Sequence, residues 1–151
     1  GFEYGPGGAS EMRKIALDTN IILDALCNRP EAQVAQQLIM AIAEDRATGV
    51  ITANAITDIY FIATKYLGPG VAREAIKNLM TIFDIAMIDG DVCGEAVYSL
   101  MEDFEDAVFA YACERDGVEY IVTRDKGLLE SKLCPVEALS PSDAIRLIEE
   151  H

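Results

Sequence analysis

Short apolar runs alternate along this chain with longer stretches in which apolar residues recur every three or four positions. The first kind of pattern predicts buried strands and the second predicts amphipathic helices. A strand is expected at residues 14–18, followed within two residues by a short helix carrying Ile21, Ile22, Ala25 and Leu26. Asn28-Arg29-Pro30 breaks that helix, and Pro30 opens a longer one in which Val34, Ala35, Leu38, Ile39 and Ile42 share a face, with Gly49 expected to end it. A second strand follows at 50–52, then a helix over 54–66 with Ile56, Ile59, Tyr60 and Ala63 on its apolar stripe.

Gly68-Pro69-Gly70 is a breaker. Beyond it the pattern predicts a helix over 71–81, a strand over 83–88 and a helix over 91–101. Asp103 has the position of an N-cap, with Asp106 in the first turn, ahead of a helix over 107–114. A β-branched and aromatic strand at 120–123 precedes Arg124-Asp125, and 135–139 reads as a short edge strand. Ser140 and Pro141 supply the cap and first residue of a final helix. Strand and helix alternate throughout, so the expected architecture is α/β, built from βαβ units around a parallel sheet covered on both faces.

Length fits this picture, because 151 residues suffice for one domain with a hydrophobic core. Residues 1–11 are Gly-rich and aperiodic and read as a flexible tail or a cloning remnant, with Met12 as a natural start and the domain proper over 12–151. No apolar run approaches the roughly 20 residues that cross a bilayer, and no signal-peptide pattern is present, so the expected address is the cytoplasm with no membrane partner.

Charge and side-chain inventory narrow the chemistry further. Lys plus Arg number 12 against 26 Asp plus Glu, a net charge of −14, which argues against broad non-specific nucleic-acid binding while leaving room for a local basic strip. The four cysteines, Cys27, Cys93, Cys113 and Cys134, are scattered without a Cys-x-x-Cys pair, so reduced, mostly buried thiols are expected and a zinc site is not. The only histidine is the terminal His151, which removes triads and His-based acid–base chemistry.

Carboxylates remain. Asp18 ends the first strand, and in open α/β sheets that C-terminal edge is where ligands bind. Asp125 follows the strand at 120–123 and points to the same edge, while Asp58 and Asp106 lie in early turns of helices that begin near it. Taken singly, each acid has a structural use as a helix cap or a partner for a helix dipole. Together they form one candidate site for a hard divalent cation, which takes oxygen ligands and keeps several waters without needing histidine. Two such ions about 4 Å apart can activate water and stabilise a leaving oxygen in phosphodiester cleavage.

The order Leu17-Asp18-Thr19-Asn20-x-x-Leu23-Asp24, then Thr52 and Asp58, then Asp103-Phe104-Glu105-Asp106-Ala107, then Ile121-Val122-Thr123-Arg124-Asp125 resembles the PIN domain, across residues 14–148. The resemblance implies a three-layer α/β/α fold whose central parallel sheet has four to five strands in the order 3-2-1-4-5. It implies Asp18, Asp58, Asp106 and Asp125 as the catalytic, metal-binding quartet for Mg²⁺ or Mn²⁺, with Asn20 and Thr52 or Thr123 as polar supports. PIN proteins of this size in prokaryotes are mostly VapC-like toxins of toxin–antitoxin pairs. The implied activity is therefore a metal-dependent endoribonuclease with RNA as substrate, an antitoxin protein as partner and a homodimer as a common state. One position departs from the pattern: the family usually has Glu where this chain has Asp58, and Asp24 or Asp103 would be the acids to compensate.

Among the few cations, Lys65, Arg73 and Lys77 flank the Gly68-Pro69-Gly70 turn, and Arg124 and Lys126 bracket Asp125 as candidate contacts to an RNA backbone. The apolar faces carrying Val34, Leu38, Ile39 and Ile42, and Ile59, Phe61 and Ile62, serve core packing first and a dimer face or antitoxin groove second. Two other functions compete. A PIN fold retained as a non-catalytic RNA- or protein-binding module would show no carboxylate-dependent metal binding. Phosphotransfer through an aspartyl phosphate would require a second Asp two residues after Asp18, where Asn20 stands, or an acid ending the middle strand, which Asp84 instead begins.

Overall fold

The computed structural model describes residues 12–150; the tail expected at 1–11 and the terminal His151 lie outside the described residues. Five strands form one parallel sheet: β1 (Lys14–Leu17), β2 (Thr48–Thr52), β3 (Asp84–Ala86), β4 (Tyr120–Val122) and β5 (Glu137–Leu139). Their order is β3-β2-β1-β4-β5, as the resemblance implies. Among the described residues, eight helices connect and cover them: α1 (Thr19–Leu26), α2 (Ala32–Ala43), α3 (Ala53–Leu67), α4 (Pro69–Ile82), α5 (Gly90–Tyr98), α6 (Phe104–Arg115), α7 (Lys126–Leu129) and α8 (Pro141–Glu149).

The period of two along each central strand divides the core between the two faces of the sheet. Ile15 and Leu17 of β1, Ile51 of β2 and Val122 of β4 pack on one side against Ile21, Ile22 and Leu23 of α1, Leu38 and Ile42 of α2, Ile59 of α3 and Ile148 of α8. Their neighbours Ala16, Val50 and Ile121 face the other side, where Phe109, Ala110 and Cys113 of α6 and Leu128 of α7 lie. Ala107, Val108 and Ala112 of α6 continue outward to Val92 and Ala96 of α5. Each fully buried Ile or Leu contributes about 1.5–3 kcal/mol relative to exposure, so this two-sided burial is the main force holding the three layers together.

Several element boundaries differ from the sequence expectation. α2 ends at Ala43, and Gly49 is not its terminator but an interior residue of β2. A Cβ at Gly49 would stand 2.7 Å from both Ile42 Cγ2 and Phe83 Cδ2, so glycine serves a close approach of strand to side chains and not a stop signal. β3 is shorter than the apolar run around it, spanning only Asp84–Ala86. α5 ends at Tyr98, before the expected Met101, and α6 begins at Phe104, directly after its cap Asp103. The short helix α7 was hidden behind its four-residue length, too brief for a helical period to register. At the α3–α4 corner Gly68 adopts φ 86°, a conformation costly for residues with a Cβ, and Pro69 then starts α4.

Candidate active site

The C-terminal ends of β1 and β2, the loop after β4, and the first turns of α1, α3 and α6 enclose a cavity of about 530 Å³. Asp18, Asn20, Thr52, Asp58, Asp103, Asp106 and Asp125 all line it, together with Asn54, Phe61, Ile62, Glu105 and Phe109. Thr123 is fully buried beneath it.

Asp18 arrives at the edge because its backbone N–H extends the β1–β4 ladder by one bond, to the Val122 carbonyl at 3.0 Å. It occupies the N-cap position of α1, yet its side chain makes no capping bond. Instead Oδ2 accepts a hydrogen bond from Thr123 Oγ1 at 2.8 Å, and Thr123 Oγ1 accepts from the Asp125 N–H at 3.0 Å. One buried hydroxyl thus ties together the two acids that follow adjacent strands. Burial pushes the Asp18 carboxyl above its ordinary range and the charge of Asp125 adds to the rise, while the Thr123 bond pulls the other way.

Asp125 caps α7, its Oδ1 accepting from the Gly127 N–H at 2.9 Å. Asp103 caps α6 in the same manner, accepting from the Asp106 N–H at 2.9 Å. That cap sets the first turn from which Asp106 reaches the cavity. Burial, followed by the charges of Asp103, Asp125 and Asp18 and a hydrogen bond shared with the Asp125 carboxyl, pushes Asp106 up to about 7. Asp58 is exposed, on the second turn of α3. Thr52 is buried at the N-cap of α3 and its hydroxyl donates to Asn54 Oδ1 at 2.9 Å.

The cations fall differently. Arg124 and Lys126 do not line the cavity. Arg124 is turned toward α1, where Nε and Nη2 donate to the two carboxylate oxygens of Asp24 at 2.7 and 2.9 Å. Asp24 is 0 % exposed and also meets Arg29 Nη1 at 3.5 Å, so it is a buried ion-pair partner and not a cavity acid. Arg29 Nη1 also donates to Asn20 Oδ1 at 3.2 Å. Lys126, at the start of α7, is exposed. The signal for this network was Asp24 itself, a carboxylate within the apolar run Ile21-Ile22-Leu23 that needs a partner once buried.

The donor set fits a hard cation in kind, since every candidate ligand is an oxygen and the acids repel one another in its absence. Among the described residues, however, no three His, Cys, Asp or Glu side chains are gathered closely enough to enclose an ion directly. Acids spaced around an open cavity suit a cation that keeps part of its water shell, as Mg²⁺ does, rather than a tight protein cage.

A sequence model of the PIN domain matches residues 14–127. The chain belongs to the PIN domain family. Among solved structures its fold is similar to a toxin–antitoxin complex from Klebsiella pneumoniae, at 21% identity and TM-score 0.63 over 84% of this chain and 97% of that one. VapBC2 from Rickettsia felis, bound to a DNA fragment from its promoter, is similar at 13% identity and TM-score 0.64, covering 84% and 98%. Mycobacterium tuberculosis VapC20, a sarcin–ricin-loop-cleaving toxin, is similar at 14% identity and TM-score 0.57, covering 71% and 86%. No curated protein sequence matches the chain. Among the described residues, no helix is long and apolar enough to cross a membrane.

Proposed function

We propose that this chain is a divalent-metal-dependent endoribonuclease, the toxin of a toxin–antitoxin pair acting in the cytoplasm. The observation that carries the proposal is the meeting of Asp18, Asp58, Asp106 and Asp125 in one cavity, with Asp106 pushed up to about 7 by burial and its acidic neighbours. Carboxylates that share one cavity and raise one another's proton affinity suit a site that binds a partly hydrated cation. The fold shared with VapC20 and with toxin–antitoxin complexes supports RNA as the substrate class and an antitoxin as partner. A second copy of the chain is the other partner proposed.

Asp18 and Asp125 would hold the principal Mg²⁺ or Mn²⁺ ion, and Asp58 and Asp106 would complete its shell or hold a second. Bound there, the metal would supply charge neutralisation and a water of lowered pKa for phosphodiester hydrolysis. Thr123 orients the Asp18 carboxylate through its hydroxyl. Arg29 fixes the Asn20 side-chain oxygen, leaving the Asn20 amide group as the donor for a ligand or water. Asp103 supports Asp106 through the α6 cap. Lys126 and the part of the Arg124 guanidinium not spent on Asp24 are the proposed contacts to phosphate.

The non-catalytic alternative rests on the open spacing of the acids and on the shorter Asp58. Phosphotransfer is disfavoured, because Asp84 begins β3 and so stands at the opposite edge of the sheet from Asp18. Cleavage of a mixed RNA pool in EDTA, Mg²⁺ or Mn²⁺ is the test, with Asp18→Asn and Asp125→Asn compared with wild type. Metal-dependent cutting lost in both variants is expected. Equal cutting by all three proteins would mark a contaminant, and bound Mn²⁺ without cutting would favour the binding module.

A further inference from the structure

α3 buries Ala55, Ile59 and Ala63, and Ala55 and Ile59 pack with half-buried Ile56 and Ile62 in the larger core cluster. Phe61 takes no part in that stripe. The residue is 62% exposed, and it lines the acidic cavity one helical turn beyond Asp58. Lys65, one turn further on, holds its ammonium 4.4 Å from the centre of the ring. Phe61 therefore lines a cavity otherwise dominated by carboxylates while the Lys65 ammonium lies over its ring, on a chain of net charge −14.

This pairing matches the two faces that a nucleotide offers. An unpaired base presents a π surface that stacks on an aromatic ring, and its phosphate presents a negative charge to an ammonium group. A base inside a duplex has both of its faces covered by neighbouring bases. We propose that Phe61 and Lys65 form a subsite for an unpaired nucleobase and its adjoining phosphate beside the acidic cavity. The proposal rests on the ribonuclease reading above and adds to it the residues that hold a nucleotide next to the acids. The Lys65 ammonium already engages the ring in a cation–π contact, and the 62% exposure of Phe61 leaves further surface for a base.

The chain contains no tryptophan, so fluorescence of a 2-aminopurine base reports stacking without interference. A short single-stranded RNA carrying 2-aminopurine would be titrated with the full chain in Ca²⁺, which replaces Mn²⁺ so that the strand is bound without being cut. The same proteins would be assayed in parallel for cleavage in Mn²⁺. Wild type should quench the probe, while Phe61→Leu, which keeps an apolar side chain on α3, should lose the quench and roughly tenfold or more in affinity. Phe61→Tyr should restore both. Lys65→Gln should flatten the dependence of log affinity on log salt by about 0.7, the release expected for one single-strand phosphate. Tyr98→Ala, which removes an aromatic that is 89% exposed on α5, should change nothing.

If wild type cuts RNA while Phe61→Leu binds with full quench and affinity, the stacking subsite is wrong and the ribonuclease stands. If wild type neither binds nor cuts RNA, both readings fall together. If Phe61→Leu leaves RNA binding intact and instead changes the sedimentation of the protein, the ring belongs to a protein interface and the subsite is overturned.

Discussion

Arg124 and Asp24 lie 100 residues apart in sequence and meet through two parallel hydrogen bonds, Nε to Oδ2 at 2.7 Å and Nη2 to Oδ1 at 2.9 Å. Asp24 is wholly buried on α1, whereas the Arg124 side chain keeps 37% of its surface exposed. The pair clamps α1 to the segment between β4 and α7, which also carries Thr123 and Asp125. Its two ends have different consequences for substitution.

Arg124→Ala strands a buried carboxylate with only the longer contact to Arg29, and should destabilise the fold by about 3 kcal/mol, the lower end for a broken buried pair. Lys126→Ala has no such burden; it should leave stability unchanged while flattening the salt dependence of RNA binding. Urea denaturation together with RNA titrations at several salt concentrations separates the two roles. A loss below 1 kcal/mol for Arg124→Ala would mean the clamp contributes little.

Without metal, the stability of this protein should fall as pH rises from about 4 to about 7. Asp106 is pushed up to about 7 in the folded chain, while the unfolded carboxyl titrates near 4. Across that window the folded state holds a proton that the unfolded state has released, so each step up in pH favours unfolding, and the effect levels off above 7. The raised Asp18 carboxyl acts in the same direction. Urea midpoints in EDTA between pH 5 and 8 should show this slope, Asp106→Asn should weaken it, and saturating Mn²⁺ should reverse it. A flat profile in EDTA would contradict the electrostatic description of the cavity.

Gly49→Ala should cost about 1–3 kcal/mol, the usual scale for forcing atoms into a packed core. The added methyl would fall 2.7–2.8 Å from Ile42 and Phe83, both buried, so either the strand or these side chains must shift. Equilibrium denaturation checks it, and the double variant Gly49→Ala with Ile42→Val should recover part of the loss because it removes one of the crowding atoms.

Asp58→Glu should tighten Mn²⁺ binding several-fold by calorimetry. Asp58, exposed like Asp125, stands on the second turn of α3, and one more methylene carries its carboxylate further into the cavity. Asp58→Asn should weaken binding less than Asp18→Asn, since Asp18 is the acid held by a buried hydroxyl. Unchanged affinity in Asp58→Glu would remove Asp58 from the ion's shell.

What the sequence alone determined were features that a few neighbouring residues decide between them. Period two and period three-to-four apolar patterns located the strands and most helices, because backbone geometry repeats on that scale. Asp103 and Ser140 were readable as caps for the same reason: the bond each makes spans three residues. The C-terminal edge of the sheet as the meeting place of Asp18 and Asp125 followed from parallel strands, and the strand order came with the family resemblance. The tertiary structure decided everything that depends on who faces whom. Arg124 stands next to Asp125 in sequence, but only the fold shows that its guanidinium also pairs with Asp24, whose burial demands a counter-charge. Gly49 looked like a helix stop until Ile42 and Phe83 closed over it. Asp106 was legible as a candidate ligand, but its raised proton affinity was not: burial and three acidic neighbours push it to about 7. Phe61 belonged by pattern to an apolar face, yet the turn of α3 set it in the cavity with the acids. Hydrophobic periodicity is a property of the local chain, whereas charge pairing, crowding and exposure are properties of surfaces that only folding brings together.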